Sequence, residues 1–213
     1  MGQTWRATEK ANRRAKYLQA AADLFAEHGF GGVSIDDLGE AVGVSGPALY
    51  RHFESKEAIL VELLVGASER LLDGCERVLA EEPSPSPETA LRQLVDFHID
   101  FALTERSIIR LQDRELQRLP ENARRTVRRL QQRYVAAWSE ILQRLEPGLS
   151  PAAIDIRILG TFGLMNSTPF SARTTGRSTA ATREAAAVLA GMAIRSLRSS
   201  SGDGAGLARS AVD

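Results

Sequence analysis

The sequence predicts an all-α chain. Every periodic segment places its apolar residues at the spacing of one helix face, and no stretch alternates apolar and polar residues as a half-buried strand does. Serines followed by a proline or an acidic residue open segment after segment, and glycines stand where segments end. At 213 residues, with 43% hydrophobic and 25% charged, the chain has an ordinary globular composition and room for one large or two small domains.

From Asn12 to His28 the set Ala15, Leu18, Ala21, Ala22 and Phe25 repeats at helical spacing, and Gly29 with Gly31-Gly32 ends that helix. Ser34-Ile35-Asp36-Asp37 has the form of a capping box and opens a second helix to about Val42, broken by Gly43. A very short third helix is expected from Pro47 to about His52, with proline in the first turn, where its missing N–H costs nothing. Ser55 caps a fourth, reaching about Ala80. After the punctuation EEPSPSP, Ser86-Pro87-Glu88 starts a helix to about Thr104. A shorter helix runs through Leu119, and a long one from Pro120 to about Leu145. Ser150-Pro151 repeats the cap-and-proline device and begins a helix to about Ser167. A Ser/Thr/Arg/Gly-rich loop at about 168–178 leads to a last helix, roughly Ala180 to Leu197, and the tail SSSGDGAGLARSAVD has the composition of disorder.

Several functions are disfavoured by composition. Formal net charge is zero, so any nucleic-acid surface must be local. The single cysteine, Cys75, allows no disulfide within the chain and no thiolate-rich metal site, and it reads as a small buried hydrophobe. The basic N-terminus lacks the apolar core of a signal peptide and no apolar run approaches a membrane span, so a cytoplasmic protein with no membrane partner is expected. His28, His52 and His98 lie in different helices with no nucleophile or ligand partner at usable spacing. No enzyme, cofactor or metal site is expected.

One stretch does carry chemistry. Helix, Gly43–Val44–Ser45 turn and short helix form the spacing of a helix-turn-helix, whose second helix enters the major groove. Leu38, Ala41, Val42, Val44 and Leu49 supply its small core, leaving Ser45, Gly46, Ala48, Tyr50, Arg51 and His52 facing outward. Hydroxyls suit phosphates, arginine suits a guanine edge or a phosphate, and the Ala48 methyl suits a thymine methyl. Ser34, Pro47 and Lys56 flank this set, with the Lys56 ammonium expected on a phosphate at the start of the fourth helix. Residues 1–20 carry five basic residues against Glu9, whereas residues 21–60 carry two against seven acids. Arg13 and Arg14 are therefore expected to supply phosphate attraction, the alternative being a merely solvated arm.

The segment 13–60, RRAKYLQAAADLFAEHGFGGVSIDDLGEAVGVSGPALYRHFESKEAIL, resembles the DNA-binding domain of the TetR family of transcriptional regulators. LFAEHGF, a Ser-led second helix, GVS, LYRHF and SKE occur in that family's order and spacing. The resemblance implies an all-helical homodimer, an operator with two-fold character, and a C-terminal domain that binds a small ligand and thereby releases DNA. Many family members carry Lys-Gly-Thr where this chain has Gly46-Pro47-Ala48, so the recognition helix here lacks one cation and one hydroxyl.

The expected domains are 1–60, the DNA-binding head; 61–199, for ligand binding and dimerisation; and 200–213, a disordered tail. The helix from Pro87 is apolar on more than one face, as a central helix is. Leu94, Phe97, His98 and Phe101 on it, with Ile109, Gln112, Tyr134 and Trp138 on neighbours, are candidate effector-binding residues. The same residues suit an ordinary core, and His98 in particular a hydrogen-bonded core histidine. Nearby arginines could neutralise the acidic end of a lipid-like or acyl-type effector. On the last two helices, Ile156, Gly160, Gly163 and Leu164 face Ala185, Leu189 and Met192 as candidates for a four-helix interface between two copies, or for packing within one. The expected function is a ligand-responsive regulator, a repressor of transcription, with operator DNA, a second copy and an effector as partners. The alternatives are a sensor of cationic drugs controlling an efflux gene and a helical adaptor that does not bind DNA.

Overall fold

The computed structural model describes residues 2–81, 83–167 and 179–198. The expected loop at 168–178 and tail at 200–213 lie outside the described residues. Among those described, all regular structure is helical. The helices are α1 (Gly2–His28), α2 (Ile35–Val42), α3 (Gly46–Leu49), α4 (Lys56–Leu79), α5 (Pro87–Thr104), α6 (Arg106–Glu115), α7 (Glu121–Leu145), α8 (Pro151–Met165) and α9 (Thr179–Leu197).

The four serine caps form as their residue types dictate. Ser34 accepts from the Asp37 N–H at 3.1 Å while Asp37 accepts from the Ser34 N–H at 2.7 Å, a complete capping box. Ser55, Ser86 and Ser150 accept from Ala58, Thr89 and Ala153 at 3.0, 3.2 and 3.3 Å. The differences from expectation lie at element ends. Helix α1 begins ten residues before Asn12, because the segment ahead of the apolar repeat holds no proline and its Arg6, Ala7, Glu9, Lys10 and Ala11 are good helix formers. Helix α3 stops at Leu49, and Tyr50–His52 continue as tight turns with bonds from His52 to Leu49 (2.8 Å) and from Phe53 to Leu49 (3.0 Å). Helix α8 stops at Met165, capped by Asn166.

Two compact units emerge. The first comprises residues 1–70 and 105–131, the second residues 71–104 and 132–213. The first unit therefore reaches beyond residue 60 and takes in all of α6. Helix α1 packs on α2 and α6 through its buried Tyr17, Ala21, Ala22 and Phe25. The turn after α1 is pinned at both ends. The Phe30 N–H donates to the buried Glu115 carboxylate at 3.3 Å, and the Phe30 carbonyl accepts from Lys56 at 2.9 Å. Glu115 is itself balanced by Arg118 at 2.6 Å.

In the second unit α5 is the central helix, as its many-faced apolarity predicts; Leu94, Val95, Ile99 and Ala102 are at most 2% exposed. It packs against α9 and α8. Gly74 is required on α4 because the Phe97 ring occupies the space that a Cβ would need. Cys75 is sealed, and burial, with Glu76 adding to it, pushes its thiol up to about 12, where it acts as a hydrophobe. No helix of the described residues is long and apolar enough to cross a membrane.

Candidate functional site

The helix-turn-helix is closed by two glycines. Gly43 sits in the left-handed region (φ 74°) and donates its N–H to Glu40 and Gly39, ending α2. Gly39 is buried where the chain crosses itself: an added Cβ would lie 2.7 Å from the Val44 carbonyl oxygen and 2.8 Å from the Gly46 nitrogen. Both are backbone atoms, so only glycine permits α3 to approach α2 this closely. Leu38, Leu49 and Phe53 fill the interior below.

The outward set divides once the side chains are placed. Ser34, Ser45, Pro47, Tyr50 and Arg51 are exposed, Tyr50 at 53%, and Ala48 is half-buried. Ser45 makes no cap bond and Ser34 spends only its acceptor on the cap, leaving both hydroxyl protons available. Four expectations are corrected. Gly46 is buried against Asp36 and Ile35 and does not face outward. His52 lies edge-on to Tyr17 at 5.1 Å, its Nδ1 buried, and its carbonyl accepts from Arg14. Lys56 turns inward: its ammonium donates to the carbonyls of Phe30 and Val33 (2.9 and 2.7 Å) and lies 4.4 Å over the Phe30 ring. Arg14 likewise holds Glu62 with two nitrogens, Nε at 2.7 Å, and covers the Phe53 ring at 4.2 Å. The sequence shows a cation at each position but not the partner, which lies 48 residues away for Arg14 and 26 for Lys56.

Arg13 remains exposed, with only a loose 3.8 Å pair to Glu9. Burial holds the His52 imidazole below its ordinary pKa, and Arg13, Arg14, Lys10 and Arg51 add to that effect through their charges. The basic face of α1 and Arg51 after the recognition helix therefore form one positive region around a neutral histidine.

The effector candidates divide between the units. Ile109, buried, and Gln112, half-buried, belong to α6 in the first unit, and the other six belong to the second. There α5 and α7 bring His98, Tyr134 and Trp138 together, with Phe162 of α8. The Tyr134 hydroxyl lies 2.9 Å from His98 Nδ1, and Asn166 Oδ1 lies 3.1 Å from Nε2. The Phe162 ring stacks on His98 at 4.9 Å and 11°. Phe162 and Asn166 escaped sequence reasoning because nothing local links the end of α8 to a histidine 68 residues earlier. Burial pushes the His98 imidazole down to about 4, opposed by its bond to Asn166, so the ring is neutral at physiological pH. Burial also pushes the Tyr134 phenol up, with the Cys75 thiol adding and the Trp138 N–H opposing. That indole N–H bears on the phenol oxygen, which keeps a lone pair to accept it while its own proton goes to His98.

The α8–α9 pair carries an apolar outer stripe. Ile156, Leu159, Val188 and Met192 are 72%, 57%, 55% and 41% exposed. Gly160 and Gly163 open onto space, whereas Leu164, Ala185 and Leu189 are half-buried.

A helix-turn-helix head joined to a larger helical C-terminal part defines a class of DNA-binding transcription regulators. Residues 18–63 match the description "Bacterial regulatory proteins, tetR family", and residues 84–197 match "Tetracyclin repressor-like, C-terminal domain". The chain belongs to the TetR family. It is 30% identical over 158 residues to the HTH-type transcriptional repressor KstR2 of Mycobacterium tuberculosis, covering 71% of this chain and 76% of that protein. It is 28% identical over 157 residues to the HTH-type transcriptional regulator EthR of Mycolicibacterium smegmatis, covering 73% and 71%. A TetR-family regulator from Bordetella parapertussis superposes with a TM-score of 0.73 at 25% identity, over 85% of this chain and 93% of that one.

Proposed function

We propose that this protein is a cytoplasmic transcriptional repressor that binds a two-fold symmetric operator as a homodimer and is released by a small hydrophobic effector. The observation that carries the DNA half is the exposed set Ser45, Pro47, Tyr50 and Arg51 with the half-buried Ala48 among them, held out by the Gly39 crossing and flanked by Ser34 and Arg13. Tyr50, Ser34, Ser45 and Arg13 position on phosphates; Arg51 and Ala48 read bases. Lys56, Arg14, His52 and Gly46 support this surface from within. The repressor reading is supported by the name of the KstR2 relative.

The apolar stripe on α8 and α9 supports dimerisation, because four large side chains stand exposed on adjacent helices with open glycines between them. Residues 61–199 then carry effector binding and dimerisation. Acyl compounds are the first effector class to examine. Among the described residues the second unit buries no carboxylate, which removes the support for a cationic effector.

The test is affinity for an operator selected from random duplexes. Tyr50→Phe and Arg13→Ala should weaken binding to all duplexes alike, and Arg51→Ala should also relax base preference at one position. A triple variant, Ser45→Ala, Tyr50→Phe and Arg51→Ala, that kept wild-type operator affinity would overturn the assignment.

A further inference from the structure

We propose that the groove between α4 and the start of α7, within the first unit, is a docking site for a basic amphipathic helix of a partner protein. None of the DNA-facing residues lines this groove, so docking and operator binding draw on different side chains.

The groove has a volume of about 550 Å³ and opens to solvent. Ala58, Val61 and Val65 line it at i, i+3 and i+7 of one α4 face, and each is only half-buried. Gly66 deepens it: beyond its own helix backbone, a Cβ there would meet only the Arg70 guanidinium, at 3.5 Å. Pro120 and Ala123 form the α7 side. An extended peptide needs a sheet edge for its backbone bonds, and the described residues hold only helices. A polyproline segment needs aromatic walls, and no aromatic residue lines this groove. A helix satisfies its own backbone and needs only an apolar face, which the small side chains of α4 admit closely.

Charge sets the sign of that helix. Glu57, Glu62 and Glu69 line the groove, and no lysine or arginine does. Glu62 is neutralised by Arg14; of the nearby cations, Arg70 is held by Glu105 at 3.1 Å, and Arg124 and Arg125 are drawn to Glu121. Glu57 and Glu69 are exposed and have no ion-pair partner among the described residues. They stand twelve residues apart on α4, roughly 18 Å along its axis. The occupant that fits carries aliphatic anchors on one face, with a lysine or arginine at either end about three turns apart. An acidic helix would instead meet two uncompensated carboxylates.

The test selects binders of the full-length protein from a displayed library of alanine-based helical peptides of about eighteen residues, randomised along one face. Selected peptides should carry aliphatic residues at helical spacing between two basic residues about eleven positions apart. Their affinity, read by calorimetry, should fall about fivefold in the double variant Glu57→Gln, Glu69→Gln, as two exposed ion pairs are lost. It should fall at least tenfold in Gly66→Leu, whose side chain fills the groove without meeting the chain's own backbone. Operator affinity should stay within twofold in both variants, which also shows that the head is folded. In the wild type, a spin label on the bound peptide should broaden the Val61 and Val65 methyl resonances, a readout that decides the matter should a variant fail to fold. An empty selection, winners that are acidic or uncharged, indifference to both variants, or undisturbed Val61 and Val65 methyls would overturn the proposal. So would decamethonium binding here as tightly as the peptides, which would mark a small-dication site. Self-association of the wild type that Gly66→Leu abolishes would also overturn it, by giving the groove to a second copy.

Discussion

His98 makes stability depend on pH in a window that the structure specifies. The imidazole takes up its proton near pH 6.5 in the unfolded chain but only near about 4 in the folded one, because burial opposes the charge. Between those values the unfolded state binds more protons, so stability falls as pH falls. Above pH 6.5 the group contributes nothing to the dependence; below about pH 4 the loss is complete, at roughly 3 kcal/mol. From pH 7 to pH 5 the expected loss from this residue is about 2 kcal/mol. The groups facing the ring are neutral: Tyr134 from α7, and Asn166 and Phe162 from the end of α8. None offers a charge to reverse the sign. The assay is urea unfolding at both pH values and one fixed protein concentration, for the wild type and for His98→Gln. Every other titratable group is common to both proteins, so its contribution cancels. The wild type should lose about 2 kcal/mol more than the variant on acidification. An equal loss in both would mean that His98 is solvated or already charged in the native state, and the account of the cluster would fail.

Gly39→Ala should cost about 1–3 kcal/mol and abolish operator binding, because the new methyl meets backbone on two sides; urea unfolding and fluorescence anisotropy check it. Arg13→Ala should lower the salt dependence of DNA binding by about one phosphate contact. Arg14→Ala should instead lower stability by about 1–2 kcal/mol with its salt slope unchanged, since its guanidinium serves Glu62 and the His52 carbonyl; equal slopes for the two variants would refute the distinction. Gly163→Glu has open space around its Cβ and should leave the folded chain intact while yielding monomers in sedimentation; a dimeric variant would count against the α8–α9 interface.

The elements of the head were legible because their signals are local. Each serine cap reads as Ser followed by its own helix, and the Gly43 turn with Pro47 marks the motif within a few residues. The roles of the cations were not legible, because a cation on a helix looks the same in sequence whether it meets solvent or a distant partner. Arg14 and Lys56 became internal clamps through Glu62, Phe30 and Val33, none of them close in sequence. His52 was misplaced because α3 ends at Leu49, so the helical period assumed beyond it points its side chain the wrong way, and Gly46 because its burial comes from Asp36 and Ile35 on the preceding helix. In the C-terminal part, the apolar helix α5 announced its central place, but periodicity alone could not assign Ile109 and Gln112 to the first unit or add Phe162 and Asn166 to the His98 cluster.

Those clamps bear on how DNA affinity can arise. Residues 1–60 carry seven basic side chains against eight acidic ones. Arg14 and Lys56 are committed inward, so the exposed cations described near the DNA surface reduce to Lys10, Arg13, Lys16 and Arg51. Each phosphate contact contributes less than one unit of salt slope, and a head with so few contacts on a chain of zero net charge binds a random duplex weakly. Tethering two such heads makes the second contact intramolecular and raises affinity by about 10²–10⁴ without any new cation. The absence of a strong local field is therefore consistent with a regulator whose affinity comes from two correctly spaced heads. An effector that favours another spacing would abolish most of that gain, because it needs to break only the tethering and not the contacts themselves.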